Sequence, residues 1–139
     1  MSEKPEVPIK FDWVGARSKC SLSEVFKALE LGARDDVDAI NALIISNTQI
    51  KFKVVGNGIR FSVICEYGAQ TSGSRDFYRK DNEIFVSNEN SKVIFTATIT
   101  LNSLGRCMLK IGEDELEEWQ VRRKALEDLF FQKDMGTYL

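Results

Sequence analysis

The chain has 139 residues, 43% apolar and 29% charged, which suits one globular domain and excludes a collagenous, low-complexity or membrane-embedded chain. Its 19 basic and 21 acidic side chains leave a formal charge of -2, so no long-range field gathers nucleic acid or anionic lipid. There is no histidine, which removes Ser-His-Asp and Cys-His catalysis and every His-ligated metal site.

Residues 1–8 carry Pro5 and Pro8 among charges and read as a disordered tail. They lack a basic stretch followed by an apolar one, and no apolar run approaches the roughly 20 residues of a spanning helix. The expected location is therefore cytoplasmic, with no membrane involved. Residues 9–13 alternate apolar and polar side chains as an edge strand does, while Asp12 equally suits a cap for a helix through Trp13–Lys19.

Ser21-Leu22-Ser23-Glu24 is a capping box, so a helix starts there. Leu22, Phe26, Leu29, Ala33, Val37, Ile40 and Ile44 then recur at steps of three and four and form one apolar face. Lys27, Glu30, Arg34, Asp35, Asp38 and Asn41 fill the wet face. Gly32 costs about 1 kcal/mol against alanine and predicts a kink, or a break into two helices.

Beyond Asn47 the period becomes two. Ile50, Phe52 and Val54 alternate with lysines, Ile59, Phe61, Val63 and Cys65 continue the pattern, and Gly56-Asn57-Gly58 makes a hairpin turn between them. Residues 69–73 are small and polar and read as a loop. A shorter pair, 75–79 and 83–87, is joined by Lys80-Asp81-Asn82 and looks too weakly apolar for the sheet centre. A second strong hairpin follows, 92–101 and 106–111, with Val93, Phe95, Ala97, Ile99 and Leu101 on one face and Thr96, Thr98 and Thr100 on the other. Asp114 and Glu117 open a last helix, striped by Leu116, Trp119, Leu126 and Phe130 and widened by Ala125 and Leu129. Residues 133–139 read as a frayed tail, leaving 9–132 as a single domain.

These elements give an α+β fold: a six-stranded antiparallel meander, seven-stranded if 9–13 is a strand, flanked by an N-terminal and a C-terminal helix. Their order is similar to the helix-grip fold of START and birch-pollen-allergen domains, and also to the α-sheet-α sandwich of the frataxin type. The first likeness implies a curved sheet that wraps the last helix and leaves a cavity, and the second a simpler sandwich. Both are likenesses of topology alone.

Cys20, Cys65 and Cys107 are odd in number, widely spaced and without a CxxC pair, which argues for reduced thiols over a disulfide framework or a zinc site. Phase places Cys65 and Cys107 in the core and leaves Cys20 as the thiol expected to react first. Asp35, Asp36 and Asp38 diverge by about 100° per residue on a helix and cannot converge on one ion. No catalytic residue, metal ligand or cofactor is assigned. Arg75 to Lys80 is the one stretch where basic and aromatic side chains interleave, but strand alternation produces the same pattern, so nucleic acid is not the expected partner.

The ligand-binding candidates are Trp119, Arg122 and Arg123 on neighbouring turns of the last helix, with Glu66 and Tyr67 at a strand end. The indole would line a pocket and an arginine would meet an acidic group at its mouth. The favoured function is a non-enzymatic binding module for a small apolar or acidic-apolar ligand or a protein partner. The alternatives are a cofactorless hydrolase or isomerase using Glu66, Tyr67, Tyr78 or Arg60, and a structural subunit of a homodimer or larger homo-oligomer.

Overall fold

The structure, a computed structural model, describes residues 11–44 and 49–132; both expected tails, together with Ile9 and Lys10, lie outside the described residues. Helices α1 (Trp13–Lys19) and α2 (Leu22–Leu43) come first. Seven strands follow: β1 (Ile50–Gly56), β2 (Arg60–Tyr67), β3 (Gln70–Lys80), β4 (Glu83–Asn88), β5 (Val93–Leu101), β6 (Cys107–Ile111) and β7 (Asp114–Leu116). Helix α3 (Glu118–Phe130) ends the described fold. The strands form one antiparallel sheet in chain order from β1 to β7, as a meander with short turns must. The architecture is an α+β sandwich.

Alternation and register define the two faces of the sheet. Phe52 of β1 pairs with Cys65, Phe61 with Phe77 and Phe77 with Val86, so these side chains share the face that α2 and α3 cover. Phe26 of α2 lies 5.2 Å from the Phe61 ring, Phe61 stacks on Phe77 at 4.5 Å, and Phe52 meets Phe130 of α3 edge-on at 4.9 Å. Each such pair adds about 0.5–1.5 kcal/mol beyond the area it buries. Of the expected α2 stripe, Phe26, Leu29, Ala33, Val37 and Ile40 are buried, while Leu22 and Ile44, the latter the cap beyond the helix, are half-buried at its ends. Along β5 the dry face thins: Ala97 is buried, but Val93 is exposed.

Several sequence expectations need correction. Residues 12–19 form the capped helix of the two readings, with Asp12 accepting the Gly15 N–H at 2.9 Å. The seventh strand is instead β7, inside the stretch expected to open the last helix. Leu116 pairs with Leu109, and α3 starts only after Glu117, whose N–H donates to the Gln120 side chain at 2.8 Å. Backbone pairing beyond a tight turn outweighs the helical preference of the acidic run. Residues 69–73 are no loop. Gly68, at φ 64°, reverses the chain early, and Thr71 and Gly73 pair with β2 around a bulge between Cys65 and Glu66. The 75–87 hairpin lies at the sheet centre, because Phe77, Ile84 and Val86 all point to the helices and are fully buried. Helix α2 runs through Gly32 without a break.

Asn41, expected on the wet face, instead closes the outer edge of the sheet. Its Nδ2 donates to the Phe52 carbonyl at 2.9 Å and its Oδ1 accepts the Phe52 N–H at 3.0 Å, the two contacts a further strand would make.

The cysteine reading also changes. Cys20 and Cys107 form a disulfide across a separation of 87 residues. Cys107 does share the face of Leu109, but it is exposed, while Cys20, expected to be the reactive thiol, is buried and bonded. Spacing rules look for local motifs, whereas the meander brings the start of β6 back to the foot of α2. In chain-entropy terms a loop of this length constrains the unfolded state by about 4–5 kcal/mol. Cys65 is buried, as its phase implies.

Candidate functional site

Helices α2 and α3 lie side by side on the sheet and leave a groove of about 430 Å³ between them. Its floor is the inner flank of the apolar stripes, Ile40 from α2 with Leu126 and Phe130 from α3, each at most 7% exposed. Its rim is Leu43, Trp119 and Phe131, which are 63%, 49% and 55% exposed. Helix geometry causes the split: residues one apart diverge by about 100°, so Phe130 enters the core and Phe131 is left outside. The last turn of α2 likewise presents Leu43 beside Ile40, where three residues return the chain to nearly the same face.

One wall of the groove is an ion-pair network centred on Arg122. Its guanidinium donates to Asp36 at 2.7 Å, to Glu118 at 3.1 Å and to the backbone carbonyl of Gly32 at 3.1 Å. Gly32 is what permits this approach, since a Cβ there would lie 2.5 Å from the Arg122 Nε. Burial by itself would weaken the hold of Arg122 on its proton. Hydrogen bonds to Glu118 and Asp36 and the charge of both carboxylates outweigh it, so the guanidinium pKa is raised above its ordinary value. The stability linked to this shift is lost as pH climbs from the ordinary arginine value through the raised one.

Of the five candidate ligand-binding residues, the structure brings Trp119, Arg122 and Arg123 together at this groove and leaves Glu66 and Tyr67 away from it. Trp119 donates its indole N–H to Glu117 at 3.2 Å, and Arg123 pairs with Glu127 at 3.2 Å on the exposed side of α3. Glu66 sits on the opposite sheet face, paired with Lys53 at 2.9 Å. Tyr67 ends β2 opposite Ile50 and is 50% exposed. Arg60 and Tyr78 stand at the other end of β2, the guanidinium 5.2 Å over the ring, about 20 Å of strand from Glu66. The four polar residues therefore do not converge on one cavity.

The basic-aromatic stretch is divided by strand alternation. Arg75 faces the helices, where its Nε donates to the Ala125 carbonyl at 3.1 Å, and Arg79 lies 5.6 Å over the Phe26 ring. Tyr78 stacks on Phe85 on the other face, at 5.3 Å. These arginines fasten sheet to helix. Among the described residues no group of three or more acidic or cysteine side chains is placed to hold a metal, and no helix is long and apolar enough to cross a membrane.

A larger cleft of about 790 Å³ opens beside α1, between Trp13 and Arg17 on one side and Ile99, Thr100 and Leu101 of β5 on the other. Cys20 and Asn82 also line it. Sequence reasoning missed this cleft because its walls are brought together by the unexpected disulfide and by the Phe11–Gly105 contact, both distant in the chain. It also missed Leu43 and Phe131 in the groove, although Phe130-Phe131 at a helix end was a legible signal that one ring must lie outside. No protein-family model matches the chain, and no curated protein or solved structure is significantly similar to it.

Proposed function

We propose that the protein is a non-enzymatic binding module whose α2–α3 groove receives an apolar segment of a protein partner. The observation that carries this reading is the rim of Leu43, Trp119 and Phe131, three large apolar side chains about half exposed or more around an apolar floor. Covering them would remove roughly 300 Å² from water, a gross gain of about 7 kcal/mol before the cost of association. That is the scale of a small anchor cluster, in which tryptophan is a favoured residue.

A protein segment suits the groove better than a small ligand does, because a drug-sized ligand is usually enclosed and these rim residues stand open to solvent. An acidic ligand is disfavoured on charge: Arg122 is already satisfied by Asp36 and Glu118, and Arg123 is paired with Glu127.

Selection of a displayed peptide library on the folded protein tests the reading. Peptides with apolar residues at helical spacing should be enriched, and their affinity should fall at least 10-fold with Trp119→Ser or Leu43→Asp. No enrichment, or affinity unchanged by both substitutions, would refute it. Native mass spectrometry of the gently purified protein separates the small-ligand alternative, which requires a co-purified molecule.

A further inference from the structure

The disulfide points to a device separate from the groove. None of the seven residues of α1 is buried, and Trp13 and Val14 are 65% and 59% exposed. A helix this short has little stability of its own, so its position depends on attachment to the rest of the fold. The structure supplies that attachment at its two ends, both on the β5–β6 hairpin. Before α1, the Phe11 ring lies over Gly105, where a Cβ would come within 2.3 Å of it. After α1, Cys20 is bonded to Cys107, with Cys20 3% exposed and Cys107 exposed. Between these points α1 forms one wall of the larger cleft, facing Ile99, Thr100 and Leu101.

We propose that the Cys20–Cys107 disulfide is a redox-sensitive clamp that holds α1 as the cleft wall, and that the protein works in an oxidising compartment where the clamp stays closed. This replaces the cytoplasmic expectation, since disulfides persist in oxidising compartments and cytosolic thiol systems keep such cysteines reduced. Opening follows thiol exchange with a small dithiol reductant. A thiolate of the dithiol attacks Sγ of the exposed Cys107. The S–S bond breaks, and its electron pair leaves on Sγ of Cys20, which takes up a proton. The second thiol of the dithiol then displaces Cys107 from the mixed disulfide. Two electrons and two protons pass to the protein and the dithiol becomes a cyclic disulfide. Held then only by the Phe11 contact and the 3.6 Å approach of Cys20 Sγ to the Thr100 carbonyl, α1 swings away from the sheet and the cleft loses a wall.

Two measurements on the full chain test this. Thiol counting on protein produced in an oxidising compartment and denatured without reductant should find one reactive thiol, Cys65; three would overturn the clamp. Trypsin should cut at Arg17 and Lys19 in α1 faster in dithiothreitol than without it, and that gain should exceed the gain at Arg122, Arg123 and Lys124 in α3 by at least 10-fold, since loss of the cross-link also lowers the stability of the whole fold. Equal rates in α1 under both conditions would overturn the release of α1. An equal acceleration in α1 and α3 would show that the bond acts only through the stability of the whole fold, and would equally overturn the clamp. Cys107→Ser without reductant should reproduce the α1 cutting of the reduced wild type, and far-UV circular dichroism of the reduced wild type checks that the sheet survives.

Discussion

Replacing Gly32 by alanine should destabilise the protein, against the usual rule for a helix interior. Alanine ordinarily gains about 1 kcal/mol over glycine there. At this position the new methyl group would lie 2.5 Å from Arg122 Nε and 2.6 Å from its Cζ. These atoms end a flexible side chain, so the guanidinium moves and the backbones of α2 and α3 stay in place. What is lost is its hydrogen bond to the Gly32 carbonyl and its contact with Asp36, about 1 kcal/mol each for partly exposed groups. The balance is a loss of about 1 kcal/mol, a fall of about 3–5 °C in Tm. In an Arg122→Ala background no guanidinium stands in the way, and the same substitution should stabilise by about 1 kcal/mol. Urea denaturation of the four proteins of this double-mutant cycle should give a coupling of about 2 kcal/mol. If Gly32→Ala stabilised both backgrounds equally, with coupling within about 0.3 kcal/mol, Arg122 would not be docked on Gly32 and the described wall of the groove would be wrong.

Other substitutions probe neighbouring claims. Asn41→Ala removes both side-chain contacts to Phe52, should cost about 1–3 kcal/mol, and opens the β1 edge; light scattering should then show self-association that rises with concentration. An unchanged denaturation midpoint and molar mass would refute the edge-closing role. Phe77→Ala, at a fully buried ring stacked on Phe61, should cost about 3–5 kcal/mol, and a loss below about 1 would contradict the central place of β3. Trp119→Ser should leave stability within about 0.5 kcal/mol, since the indole is half exposed. A loss above about 2 kcal/mol would make Trp119 part of the core and remove it from the groove rim.

The parts of the fold legible in the sequence were those written as period. Phe26, Leu29, Ala33, Val37 and Ile40 announced α2, and the alternation through Phe61, Val63 and Cys65 announced β2, because burying one face requires those spacings. Misreadings arose where contacts from far along the chain decided the outcome. Gly73 and its polar neighbours carry no strand pattern, yet they pair with β2, and α3 passes so close that a Cβ on Gly73 would sit 3.0 Å from Leu129. Arg75 and Arg79 belong to a pair that looked too weakly apolar for the sheet centre, and they are fasteners facing the helices. At the candidate site, helical spacing grouped Trp119, Arg122 and Arg123 correctly. That Arg122 would be satisfied by Asp36 and Gly32 depended on the packing of α2 against α3, about 90 residues apart in the chain, which no local pattern encodes.

The in-order meander also bears on how the chain finds its native state. Every strand hydrogen-bonds to the one next in sequence, so the whole sheet can assemble by closing short loops. Docking of α2 on α3 joins segments separated by 86 to 90 residues and contributes most once the sheet already holds them near each other. Interactions formed after the rate-limiting step alter the escape rate from the native state and leave the approach to it nearly unchanged. Loss of the Arg122 network should therefore appear on the unfolding limb of a chevron plot, and the groove between the helices would be the first part of the sandwich to come apart.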